Sequence, residues 1–505
     1  MKNKGIKNLI FGLFAQFVTI LLGIIIPRLT LVNLGSESNG LLNSVSNILT
    51  YMSLLEAGVG TATLQALYKP FSLTDRKSIN EIMAATNYFY KRTGIVYLTI
   101  IIVMSICYTA FVETTISKTS VFFVVLLSGL SGVLSYFFQG KYKIFLRAEG
   151  KSYIETNITT FTTVGISILK IIVLNLYANV VLIQSVYFLF NFIQMLFIVL
   201  YIRKNYTWID LKVKPNFESI SQSKYVLVHQ INELIFNNID VLLLTFFTSL
   251  KHVSVYSMYA MIFGMVKSVT VTVSDSFLYS LGQKYNTDRK KFNMLFDVYE
   301  VYNLAFTFAV FFVSYIMILP FLKLYTIGVN DINYIDEYLP FLFVVFYLLA
   351  NGRKSSSVVI NFAQHFKKTQ WRAVLESIIN LTFSIIFVIK FGIYGVLMGT
   401  IVALLYRTND IIIYSSKLLE RSPLIAYKRW LINAILFILA AFVVNKVDMH
   451  MDSYFHMIVI GIILLLCVVT IFIMINSIFE PKVAKNAMIL INNILFKKNN
   501  NKSGE

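Results

Sequence analysis

Residues 225–249 read YVLVHQINELIFNNIDVLLLTFFTS. The run is long and apolar enough to cross a bilayer. Gln230, Glu233, Asn237 and Asp240 interrupt it at i, i+3, i+7 and i+10, a spacing that puts all four on one face of a helix. A carboxylate at mid-membrane costs roughly 2.5–3.5 kcal/mol on an insertion scale. Two of them on one stripe therefore require either a polar cavity or a buried, fully hydrogen-bonded helix contact. Ionisable groups inside a membrane usually mark a pathway, which favours the cavity.

The rest of the chain has the same character. It has 505 residues, is 57% hydrophobic and 14% charged, and has a mean hydropathy of +0.71. Soluble domains carry about 25% charged residues, so this is an all-α integral membrane protein. Helices rather than a barrel are expected, because the alternating ten-residue segments of a barrel are missing. The first apolar run, Leu9 to Leu34, is too long for a signal-peptide core and reads as a retained anchor.

About fourteen transmembrane segments can be drawn, and their connections alternate in charge. The N-terminus, every second connection and the C-terminal tail hold 33 of the 44 Lys and Arg. The opposite connections carry only Lys118, Lys251, Lys446 and, at a boundary, Lys390. The positive-inside rule then puts both termini in the cytoplasm, and it accounts for the net charge of +19 without nucleic acid. Cys107 and Cys467 both lie in apolar runs, which leaves no disulfide framework or thiolate metal site.

Layout suggests a repeat. LTLVNLGSESNGLLNSVSNIL, around the first turn, parallels LLLTFFTSLKHVSVYSMYAMI, around the turn between spans seven and eight. Residues 1–202 then form a first six-helix lobe, 203–223 a cytoplasmic linker and 224–413 a second six-helix lobe. Residues 414–478 supply two extra helices and 479–505 a cytoplasmic tail, polar and disordered from Phe496. Two six-span copies enter the membrane in one orientation, related by an axis along its normal with a central cleft between them.

Several further charges fall inside spans. Arg28 follows Pro27, so it is either aimed inward at a kink or snorkelling to the outer surface. Glu56, beside Gly58 and Gly60, needs either an ion-pair partner or a substrate contact. Lys170 and Lys267 are single cations in apolar surroundings. Lys267 lies roughly 21 Å in from the outer turn, suited to pairing with Glu233 or Asp240 or to binding an anion. The run Asn351-Gly352-Arg353-Lys354-Ser355-Ser356-Ser357 covers every helix face. It either lines a cavity, the favoured reading, or marks a helix that ends at Asn351. Arg407 and Asp410 read as interfacial. Tyr51 and Tyr259 are candidate sugar platforms, although span tyrosines more often pack. Glu233, Asp240 and Asn237, with Asp275 as another span carboxylate, are candidates for binding a coupling proton or sodium ion.

Catalytic signals are missing. There is no Walker A sequence, no metal-spaced group among the five His, and no long outer loop with paired carboxylates. With no catalytic residue, cofactor or metal site indicated, moving a substrate is what remains.

Residues 24–70, IIIPRLTLVNLGSESNGLLNSVSNILTYMSLLEAGVGTATLQALYKP, resemble the polysaccharide transporter family. The resemblance continues through FLRAEGKSY (145–153) and INELIFNNIDVLLLT (231–245), and in layout spans almost the whole chain. These are flippases for lipid-linked repeat units of capsules, O-antigens and related glycans. They belong to the multidrug/oligosaccharidyl-lipid/polysaccharide transporter superfamily. The resemblance implies a V-shaped pair of six-helix lobes with two further helices, working by alternating access in a bacterial cytoplasmic membrane. It implies a polyprenyl-diphosphate-linked oligosaccharide as substrate, met by cleft cations, with membrane lipids and possible polymerase and glycosyltransferase partners. Arg28 matches the family's first-helix arginine in position; Lys267, Arg353 and Lys354 rest on burial and charge alone. Export of small amphipathic cations on the same scaffold, or a non-transporting role in glycan assembly, are the alternatives.

Overall fold

The computed structural model describes residues 2–52, 55, 59–220, 238–363, 365–444 and 453–500. Among them the chain is all-α with no strand. In the first half, α1 spans Lys2–Met52, α2 Val59–Ser72, α3 Arg76–Phe111 and α4 Lys118–Leu134. A π-turn over Ser135–Gln139 joins α4 to α5 (Gly140–Ala148). Next come α6 (Ser152–Leu176), α7 (Val180–Asn205), α8 (Asn238–Phe247) and α9 (Leu250–Ser276). They are followed by α10 (Leu278–Thr287), α11 (Arg289–Tyr325), α12 (Leu339–Gly352) and α13 (Lys354–Phe362). The last four are α14 (Phe366–Leu418), α15 (Leu424–Val444), α16 (Tyr454–Phe479) and α17 (Pro481–Asn500).

Ten of the described helices are long and apolar enough to cross a membrane. Two of these are double-length. A straight helix of 51 residues would extend about 77 Å, well beyond a hydrocarbon core of about 30 Å. α1 is accordingly interrupted at Gly35 (φ 79°, ψ 173°) and α14 at Gly392 (φ 53°, ψ −124°). α14 covers two of the segments drawn from sequence, and α1 covers the first and the beginning of the second. The seventh segment is represented by α8 alone, since Gln230, Glu233 and Asn237 lie outside the described residues, as does Glu56.

Local signals set the helix ends. Asp75, Ser117, Asn179, Asp288 and Ser453 each accept a backbone N–H of the first turn that follows. The Ser78 hydroxyl, donating to Asp75, holds that carboxyl below the usual carboxylate range. The tail departs from expectation. The backbone stays helical to Asn500.

The chain forms two compact units: residues 1–257 with 328–332, and residues 258–327 with 333–505. In the first unit α3 packs on α4, α4 and α6 on α7, and α1 on α6. Tyr90, Tyr97, Tyr136 and Phe145 fill its core. The turn at Gly35 is pinned from a distance: Asp331 accepts from the Ser36 amide at 2.8 Å and from its hydroxyl at 2.6 Å. A carboxylate thus caps the second half of α1. Close by, a Cβ on Gly40 would stand 1.7 Å from the Leu250 carbonyl oxygen, so only glycine fits. Asn39 donates to Ser254 at 2.7 Å, and Thr245 to Ser44 at 2.8 Å.

Residues 206–220 lie against the first unit. Asn80 donates to the Trp208 carbonyl at 3.1 Å, the Asn216 amide to the Glu81 carbonyl at 3.1 Å, and the Arg76 guanidinium sits 5.2 Å from the Trp208 ring. The Tyr206 hydroxyl donates to Glu149; burial, and then that carboxylate, raise the phenol above its ordinary range. In the second unit α11 is the central helix, packed against α12, α15 and α16. Phe263, Phe311, Phe343 and Tyr347 stack in a column beside it.

Candidate functional site

Lys267, Val271 and Asp275 recur every four residues on α9 and share a face. Lys354, the first residue of α13, reaches that face. Its Nζ lies 2.6 Å from an Asp275 oxygen and donates to the Val271 carbonyl at 3.4 Å. Lys267 stands about 6 Å along the axis from Val271, so the two lysines flank one turn of α9.

Arg353 precedes Lys354 and turns elsewhere. Its Nη1 meets Glu376 of α14 at 2.5 Å. The other Glu376 oxygen lies 3.3 Å from Arg407, and Arg407 reaches Asp410 at 2.6 Å. Asp410 also holds Arg372, whose guanidinium lies 4.9 Å from the Tyr414 ring centre. The Tyr414 hydroxyl is bonded to His365 at 2.9 Å. Side-chain exposure is lowest in the middle of this chain of charges and higher at both ends, Arg372 being 41% exposed. Glu376 is 9% exposed and Arg407 11%, whereas Lys354 is 25% and Asp275 50% exposed. The inner links are dry and the Lys354–Asp275 pair is open.

Within the second unit, Arg353, Lys354, Arg372 and Arg407 stand with Asp275, Glu376 and Asp410. Among the described residues that is four cations against three carboxylates. At the Lys354 end an anion would meet an ammonium group already held in place by Asp275 and the Val271 carbonyl.

The polar run at 351–357 spans the junction of α12 and α13. α12 ends at Gly352, one residue past Asn351, and α13 begins at Lys354, with Arg353 (φ −64°, ψ −14°) as the turn between them. Ser355 accepts from Asn303 at 2.9 Å, and Asn351 donates to the Tyr347 carbonyl at 2.8 Å. Protein partners thus take up much of that polarity.

The other predicted residues fall in different places. Arg28 is half-buried in α1, which passes through Pro27 with helical backbone. Asp240, in the first unit, is buried and accepts from Tyr256 at 2.7 Å. Lys170 sits 5.4 Å from the Tyr187 ring centre, a cation–π contact. Tyr259 is not a sugar platform: its ring is fully buried on Phe343, and its hydroxyl donates to the Tyr334 carbonyl.

Sequence reading missed two features. Arg407 and Asp410, read from sequence as interfacial, are half-buried members of a charge network, and Glu376 is its buried hub. The i, i+3 spacing of Arg407 and Asp410 was the available signal. The second is a knot in which Arg421 and Arg429 both reach Asp297 and Glu300; Arg429 is 2% exposed and Glu300 1%. It ties α15 to α11.

No family model matches the chain. No curated protein matches it either. Solved structures do. A lipid II flippase, MurJ, in an inward closed conformation aligns with a TM-score of 0.71 at 16% identity, over 94% of this chain and 100% of that one. An inward-facing multidrug resistance MATE family transporter of the MOP superfamily aligns with a TM-score of 0.64 at 16% identity, over 79% and 94%. A MOP superfamily transporter from Pyrococcus furiosus gives a TM-score of 0.52 at 16% identity, over 83% and 96%. At these identities the likeness is one of fold: the chain has the fold of the MOP-superfamily transporters.

Proposed function

We propose that this chain is a flippase that carries polyprenyl-diphosphate-linked oligosaccharide repeat units across a bacterial cytoplasmic membrane by alternating access, for capsule or another surface polysaccharide. One observation carries the reading: among the described residues the network holds four cations, Arg353, Lys354, Arg372 and Arg407, against the three carboxylates Asp275, Glu376 and Asp410, with Lys354 at a partly exposed end. A diphosphate is the anion whose lipid anchor belongs in a membrane. The fold shared with a lipid II flippase supports a lipid-linked cargo. In this reading Arg28, Lys267, Arg353, Lys354 and Glu56 are the substrate-binding residues, the four cations serving the diphosphate. Glu233, Asn237 and Asp240 form a stripe for a coupling proton or sodium ion. Both termini are cytoplasmic, and polymerase and glycosyltransferases are the partners that consume and supply the cargo.

Reconstitution tests it. Vesicles holding the purified protein and a defined lipid-linked saccharide are assayed with and without a proton or sodium gradient. Wild type is expected to expose the saccharide on the opposite leaflet. K267Q/K354Q is expected to slow this at least tenfold at an unchanged melting temperature. Equal transport by the variant removes these lysines from the substrate path. The second reading, export of small amphipathic cations, is favoured by the half-exposed Asp275 carboxylate and by the MATE fold likeness. The same vesicles accumulating a cationic dye, with no movement of the saccharide, would establish it instead.

A further inference from the structure

A cavity of about 250 Å³ lies between α1 and α6 in the first unit, at the end of α6 that follows the basic loop 140–151. That volume matches on the order of eight waters at ~30 Å³ each. Six hydroxyls line it: Thr19 of α1, and Ser152, Thr156, Thr159, Thr160 and Thr163 of α6. At its edge Glu155 is held by Arg147 through two bonds, at 2.7 and 2.8 Å.

Charge and hydrogen-bond capacity together select the ligand. The bidentate Arg147–Glu155 pair is neutral as a unit, so it recruits neither an anion nor a cation. Thr19 donates its hydroxyl proton to the Ala15 carbonyl, and Thr160 to the Thr156 carbonyl, each at 2.8 Å. Those two oxygens still accept, but their protons are committed. An acceptor-only group such as phosphate gains nothing from them. A polyhydroxylated neutral group donates and accepts at every oxygen, and so matches the wall. We propose that this cavity is a saccharide subsite, taking the neutral sugar hydroxyls of a glycolipid headgroup at the membrane surface.

The inference rests on the flippase reading only for which glycolipid arrives; sugar binding at the cavity stands apart from transport. The test therefore uses phosphate-free probes. Full-length protein in nanodiscs is equilibrated with glucosyl-, galactosyl- and N-acetylglucosaminyl-diacylglycerol against plain diacylglycerol, and retained lipid is read by native mass spectrometry. At least one sugar lipid is expected to be retained about tenfold over diacylglycerol, and T156V/T160V is expected to bring that ratio to about one. Valine keeps the shape of threonine while removing the hydroxyl, and T19V and T159V singly carry the same expectation at smaller size should the double variant not fold. K354Q is expected to leave the ratio unchanged while slowing transport. Equal retention of all four lipids by wild type overturns the proposal, as does a preference that survives all the valine variants. Selective loss of phosphatidylglycerol retention in the valine variants also overturns it, since that assigns the wall to an anion. A preserved sugar preference in a protein that moves no lipid-linked saccharide refutes the transport reading and leaves the subsite standing.

Discussion

Glu376 illustrates how much a single buried carboxylate can control. It holds Arg353 with one oxygen and Arg407 with the other. Breaking a buried ion pair by removing one partner costs about 3–5 kcal/mol. Glu376→Ala should therefore lower the detergent melting temperature sharply, whereas Lys354→Gln, at the open end, should change it little. The knot of α11 and α15 offers a sharper test. Arg429→Met strands Glu300 with Arg421 as its remaining cation, and should destabilise by about 3 kcal/mol. R429M/E300M removes charge from both sides and should recover most of that loss, as a double-mutant cycle followed by thermal unfolding would show. Sequence reading reached Arg353 and Lys354 because seven successive polar or small residues in an apolar span stand out. It did not reach Glu376, since a lone carboxylate near the end of a span looks like any interfacial residue until its partners, 23 and 31 positions away, are in place.

Helices divide into those whose limits are written locally and those set by distant contacts. The caps at Asp75, Ser117 and Ser453 are side-chain signals within three residues of the bond they make, and the segments drawn from hydropathy largely coincide with helices. The turn inside α1 is different. Gly35 announces a break, but its Asp331 cap comes from 295 residues away, and no local pattern carries that. Gly40→Ala should be among the most damaging small substitutions, because the added methyl meets backbone rather than a movable side chain. Gly328→Ala, where nothing lies within 4 Å of the new Cβ, should show only the strain of a positive φ of 89°, about 1–2 kcal/mol. Comparing the folded yield of the two variants checks the distinction.

At the scale of the whole molecule, fold class was legible because composition and loop charge are global averages that need no contacts. The positive-inside pattern makes a topological prediction. In a variant with Cys107 and Cys467 replaced, a single cysteine at Lys212 should react with an impermeant maleimide only after the cells are opened. A cysteine at Asn330 should react in intact cells, and the reverse pattern would invert the topology. Residues 206–220 should also resist limited proteolysis, because Asn80, Glu81 and Arg76 hold them. N80A/W208A should expose them to cleavage at rates at least tenfold higher.

The Asp331 cap has a consequence for how far the chain can be divided. Residues 328–332 belong to the first compact unit although they sit deep in the second half of the sequence. A gene severed after codon 257 would encode a front fragment missing the carboxylate that closes its own first turn. Swapping front halves between related chains would meet the same obstacle unless the donor of that acid travelled with the serine it serves. Modularity in this protein ends at five residues.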